Sequence, residues 1–170
     1  MHKKIVALFC FLLIAFFSVG CEHKTENEQR AFFPTKTEFH VGIQADTFKT
    51  RICFFFDENG ACHVLHEDPT SPLFGLEEIF TPDSVNGFYS GMQFQNLPYC
   101  GGIGTVYRAL VTIRETKPLK ITKDGEKILY TYENEHLSMV FKYSEKGSLP
   151  LTVFGTDNGN EFSINFSADA

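Results

Sequence analysis

Residues 136–166 read HLSMVFKYSEKGSLPLTVFGTDNGNEFSINF, and this stretch decides the fold. Leu137, Met139, Phe141 and Tyr143 alternate with His136, Ser138, Val140 and Lys142. Leu149, Leu151 and Val153 alternate with Pro150, Thr152 and Phe154, and Phe162, Ile164 and Phe166 alternate with Glu161, Ser163 and Asn165. A period of two puts each apolar set on one face of a strand. Lys146-Gly147 and Asp157-Asn158-Gly159 separate the runs. Gly and Asn accept the positive φ that tight turns require. The spacing therefore predicts consecutive antiparallel hairpins, not parallel strands joined by crossover helices.

The same pattern extends outward. Ile128, Tyr130 and Tyr132 form another alternating set, and Phe39, Val41 and Ile43 alternate with His40, Gly42 and Gln44. Asn59-Gly60, Lys123-Asp124-Gly125-Glu126 and Asn134-Glu135 are further turn signals. Ile52-Cys53-Phe54-Phe55-Phe56 is apolar on both faces, so this strand should be covered on both sides. Residues 104–115 fit a helical stripe through Val106, Ala109, Leu110 and Ile113, and equally a strand through Tyr107, Ala109, Val111 and Ile113. Helix is the favoured reading, because the two-sided strand needs a cover. Residues 72–79 read as a short helix or a strand. The expected fold is α+β and mainly β. It is a strongly curved antiparallel sheet of hairpins, a half-barrel, covered by one or two helices.

The chain has 170 residues, 43% hydrophobic and 21% charged, which is an ordinary globular composition and excludes extensive disorder. Its 13 Gly and 7 Pro show no collagen-like repeat. The net charge of −6 argues against nucleic acid as a partner, since phosphate contacts need a basic surface.

The start of the chain has a separate role. Met1-His2-Lys3-Lys4 is basic, residues 5–17 are apolar throughout, and polarity returns at Glu22 after Ser18-Val19-Gly20-Cys21. This is the pattern of a secretory signal, and its apolar run is short of the roughly 20 residues that cross a bilayer. The tetrapeptide ending at Cys21 resembles the bacterial lipoprotein signal, with Ser18 where that pattern prefers Leu. The resemblance implies lipid attachment at Cys21 and anchoring to the extracytoplasmic face of the cell membrane. An uncleaved anchoring helix and a plain secretory signal are the alternatives. The expected organisation is a signal peptide over 1–20, a flexible tether over 21–35 and a single domain over 36–170. Loss of Lys3 and Lys4 would bring the mature charge to −8. That sign repels an anionic lipid surface, so the tether and not a basic face would hold the domain there.

Of the five cysteines, the resemblance implies that Cys10 leaves with the signal and Cys21 carries lipid, so Cys53, Cys62 and Cys100 would remain. A two-residue turn at Glu58-Asn59 would put Cys53 and Cys62 diagonally on one face, about 7–8 Å apart and beyond ordinary disulfide reach. Buried free thiols are favoured over a bridge.

Three pieces, Glu67-Asp68-Pro69 leading to Leu73-Phe74-Gly75-Leu76, then Tyr89-Ser90-Gly91-Met92-Gln93-Phe94, then Phe141-Lys142-Tyr143 running to Leu149-Pro150-Leu151, occur in order. Over roughly residues 36–167 this order is similar to the lipoprotein-carrier (LolA/LolB-like) group of small bacterial lipoproteins. The resemblance implies a curved sheet closed by helices, with acyl chains held between them.

No residue set reads as catalytic, and the chain is not expected to be an enzyme. His63 and His66 lie three apart, on opposite faces of a strand, and so cannot share a metal without a bulge. Asp57-Glu58 and Glu77-Glu78 read as solvated acids, and Gly101-Gly102-Ile103-Gly104 lacks any phosphate-loop pattern. No metal site and no cofactor is implied. The apolar faces alone carry functional content. Phe39, Val41, Ile43, Leu137, Met139, Phe141, Phe162, Ile164 and Phe166 are expected along one side of the sheet. They would form either a solid core or the lining of a cavity for a hydrophobic small molecule such as a lipid tail. An envelope protein-interaction module with a solid core is the alternative function, its protein partner unreadable from the sequence.

Overall fold

The computed structural model describes residues 32–45, 48–97, 101–146 and 149–166. The expected signal peptide, Cys21, most of the expected tether and Cys100 lie outside the described residues. The strands are β1 (Phe39–Ala45), β2 (Phe48–Phe56), β3 (Cys62–His66), β4 (Glu77–Phe80), β5 (Val85–Tyr89) and β6 (Met92–Leu97). A helix follows, α1 (Gly101–Glu115), then β7 (Lys120–Asp124), β8 (Lys127–Glu133), β9 (Leu137–Ser144), β10 (Leu149–Asp157) and β11 (Asn160–Phe166). All eleven described strands form one open, curved sheet in the order β6-β5-β4-β3-β2-β1-β11-β10-β9-β8-β7. Each neighbouring pair is antiparallel. β1 joins the two halves by pairing with β11, while β6 and β7 form the two edges. This is the mainly β half-barrel with a covering helix that the hairpin signals predict.

Residues 104–115 are helical, and the helix starts three residues earlier, at Gly101. Ile103, Val106, Tyr107, Leu110 and Ile113 are all buried, a 3–4 residue spacing that one helix face presents to the sheet. Val111, which the strand reading would bury, is only half-buried. Gly102 is required for close approach: a Cβ there would lie 2.6 Å from the Phe48 ring. Of residues 72–79, the first part forms turns and the last begins β4.

The hairpin between β2 and β3 departs from the expected register. Its loop closes with the Asp57 N–H on the Ala61 carbonyl, and Gly60 takes φ 84°. Asp57 Oδ1 also accepts the N–H groups of Asn59 and Ala61 at 2.8 and 2.9 Å. Cys53 therefore pairs with Leu65, and Cys62 with Phe56. A one-residue slip reverses every side chain on the strand. Cys53 and Cys62 thus lie on opposite faces as buried free thiols. Burial pushes the Cys62 thiol up to about 12.

The two-sided strand is covered on both sides, by different means. Ile52, Phe54 and Phe56 lie under the inner layer, with the Arg114 guanidinium 4.3 Å from the Phe56 ring centre. On the outer face His63 stacks on Phe55 at 4.6 Å and 8°, so neighbouring strands supply that cover from their own side chains. His66 points inward and His63 outward, as the strand period requires.

Gly155 fixes how closely β10 approaches β9. A Cβ at this position would fall 2.1 Å from the Ser138 carbonyl oxygen and 2.7 Å from Met139 Cα. Backbone cannot yield as a flexible side chain can, and a strand-interior glycine commonly marks such a contact. Gly155→Ala should therefore cost about 2 kcal/mol, read as a lowered urea midpoint. An unchanged midpoint would mean the strands are not in close contact at this point.

Candidate functional site: the inner face of the sheet

The register places the apolar side chains in continuous rows across the sheet. Val41 stands beside Ile52 and Phe166, Ile43 beside Ile164, Val153 beside Ile164 and Phe141, and Gly155 beside Phe162 and Met139. The nine residues expected on one side are all on this inner face. Val41, Ile43, Leu137, Met139, Phe141, Phe162 and Ile164 are each at most 4% exposed, whereas Phe39 and Phe166 are half-buried at one end.

Two elements cover the face. α1 lies over β1, β11 and β9. The other cover is Phe32-Phe33, in a segment the sequence assigns to a loose tether. Phe32 packs edge-on to Tyr130, Phe141 and Tyr143 at 5.0–5.3 Å. Phe33 stacks on Phe166 at 5.7 Å and meets Phe39 and Phe54 edge-on. The packed domain thus extends to residue 32. The Lys36 N–H bonds the Phe56 carbonyl at 2.8 Å, while Phe33 and Lys36 take φ 58° and 62°. Positive φ in non-glycine residues is held against strain by such surroundings.

The inner face is wider than its cover. Phe54 pairs with Val64, Val64 with Glu78, Glu78 with Gly87 and Gly87 with Phe94, so one inner row runs out to β6. On that wing Phe94 is 39% exposed, Met92 54% and Tyr89 37%. On the opposite wing Ile121, paired with Tyr130, is 47% exposed. The β5–β6 hairpin is the motif at residues 89–94, and its turn sits at Ser90 and Gly91, φ 49° and 79°.

Among the described residues, the buried polar side chains Thr50, His66 and Asp157 interrupt this face. His66 is buried and its Nε2 lies 2.8 Å from Glu78 Oε2; the sequence reading of Glu78 as a solvated acid is corrected by this pairing. Asp157 is 3% exposed and accepts hydrogen bonds from the Thr105 hydroxyl at 2.7 Å and from the Arg108 guanidinium. Burial raises the Asp157 pKa, but the bonds from Arg108 and Thr105 and the Arg108 charge outweigh it and hold the carboxyl below its ordinary 3.8. A depression of about 340 Å³ opens beside this group, lined by Phe48, Gly102, Thr105, Arg108 and Phe162 among others.

An antiparallel half-barrel with an aromatic inner face, part-closed by one helix and one aromatic loop, is the class of fold these residues define. Solved structures similar to it include LprF from Mycobacterium bovis, with 10% identity and a TM-score of 0.41 over 77% of this chain and 84% of that one. A LolA superfamily protein from Nitrosomonas europaea is similar at 7% identity and a TM-score of 0.38, over 82% and 87% of the two chains. The second bears the name of the group that the sequence motifs resemble. Both are likenesses of chain course and carry nothing about ligand or site. No protein-family model matches the chain, and no curated protein matches it. Among the described residues no helix is long and apolar enough to cross a membrane.

Proposed function

We propose that this chain is a non-enzymatic envelope lipoprotein that binds a hydrophobic ligand such as a lipid tail on the inner face of its sheet. Lipid on Cys21 would hold it at the extracytoplasmic side of the membrane. One observation carries the reading: the apolar inner face extends past α1 and Phe32-Phe33 to exposed Tyr89, Met92 and Phe94. Large apolar side chains grouped on one surface mark a site for an apolar partner. An acyl chain laid along this wing would remove them from water, with Met92 adapting to a flexible ligand. Phe32-Phe33, strained at Phe33, is the part of the cover a longer ligand would displace.

The test uses the full chain with Cys21→Ser, so that no attached acyl group confuses the result. Lipid should be recovered from the purified protein by mass spectrometry, and a fluorescent fatty acid should bind. Phe94→Asp should weaken probe binding about tenfold, equivalent to 1.4 kcal/mol, with little change in melting temperature. Absence of both bound lipid and probe binding would overturn the proposal.

The sheet edges favour a second reading, a protein-interaction module. β6 and β7 have no strand partner on their outer sides among the described residues, and Leu119 beside β7 is 69% exposed. Open strand edges are templates for strand addition. Crosslinking in the native membrane that recovers monomer alone would remove this reading.

A further inference from the structure

The outer face holds a group that the spacing of residues conceals. His40 on β1 pairs directly with Cys53 on β2, and Glu38 lies two residues before His40 on the same side of the chain. A nitrogen of His40, the Cys53 sulfur and a carboxylate oxygen of Glu38 all lie within 4.8 Å of one another. Donors around a tetrahedral zinc ion, with bonds of about 2.0–2.3 Å, stand about 3.4–3.8 Å apart. A small side-chain rotation closes that difference, and the exposed Glu38 carboxylate can supply it. Glu67 lies 2.9 Å from His40 Nδ1, the kind of carboxylate partner that orients ligating histidines.

We propose that Glu38, His40 and Cys53 form a binding site for a borderline-soft divalent metal ion of the zinc class, with Glu67 positioning His40. The donor chemistry selects this class: a thiolate and an imidazole exclude calcium and magnesium, which take oxygen ligands. Charge favours the same answer. Glu38 and Glu67 both act on the Cys53 sulfur, and the Phe39 N–H is directed at it. The site stands apart from the inner face, so it can succeed or fail independently of lipid binding.

The experiment is titration of the full chain in detergent micelles with zinc against a chromophoric chelator, and with cobalt to report thiolate coordination by its near-ultraviolet charge-transfer band. One ion per chain and a cobalt–thiolate band are expected. Cys53→Ser should abolish the band and His40→Gln should weaken zinc at least tenfold, roughly the scale of a lost orienting or ligating contact. His40 is exposed, so its variant tests the site without endangering the fold. Cys62→Ser and His63→Gln, away from the site, should leave binding unchanged. No zinc binding by the wild type, or a band that survives Cys53→Ser, would overturn the proposal.

Discussion

Phe141→Ala should lower the unfolding free energy by about 3–5 kcal/mol, the range for a buried aromatic truncated to a methyl group. Phe141 is 0% exposed and central to the inner face. The rings of Phe32, Phe33, Tyr130, Tyr143 and Phe166 surround it at 5.0 to 6.5 Å. Its removal loses the transfer energy of the ring and leaves a gap that both strands and the Phe32-Phe33 loop border. A domain of this size has about 5–15 kcal/mol in total, so much of its stability goes. Urea denaturation should show a lower midpoint at unchanged slope. Phe154→Ala, on the outer face and 42% exposed, should stay within about 0.5 kcal/mol and serves as the control. A loss below about 1 kcal/mol at Phe141 would mean the rings are not packed against one another. Because a ligand bound to the native state alone adds stability by mass action, a fatty acid that fills the gap should restore part of the loss.

The sheet was legible because its signal is local. Alternation along residues 137–143 and 162–166 assigns a face without knowledge of any partner strand, and the turn residues say where each strand stops. All nine inner-face residues follow from that rule. What depends on loop geometry was not legible. The Asp57–Ala61 loop differs from a two-residue turn by one residue of register, and that sufficed to separate Cys53 from Cys62. The β1–β2 register puts Cys53 opposite His40, a pairing between residues 13 apart in the chain that no spacing motif announces. Phe32-Phe33 read as tether because two aromatic residues beside a charged stretch show no period. Their burial depends on rings contributed by β1, β2, β8, β9 and β11. The exposed wing was half legible: Tyr89, Met92 and Phe94 sit in a quoted motif, but their exposure depends on where α1 ends, a tertiary fact.

Asp157→Ala should cost about 2–3 kcal/mol at neutral pH, because it breaks a charge-assisted pair at a buried carboxylate. The figure lies below the full cost of an interior pair because Arg108 is 37% exposed and water takes over part of its charge. The carboxylate comes from the end of β10 and reaches Thr105 and Arg108, both beyond the first turn of α1. The bonds from Thr105 and Arg108 tie the helix to the sheet, so Asp157 secures α1 in place. The pH dependence follows from the direction of the shift. A carboxyl whose folded pKa lies below its unfolded one contributes stability above the unfolded value of 3.8, and that stability is lost as pH falls through the folded pKa. The gap between wild type and Asp157→Ala should therefore be full at pH 7 and shrink below about pH 4. Denaturation midpoints measured from pH 7 to pH 2 check this, and a gap that persists unchanged into acid would show that the carboxylate charge contributes nothing. Hydrogen exchange adds the structural readout: amides of α1 should exchange faster in the variant while those of β2 and β3 hold. Since α1 is the half of the cover that carries no backbone strain, its loosening should also speed entry of the fatty-acid probe, linking one buried carboxylate to access along the inner face.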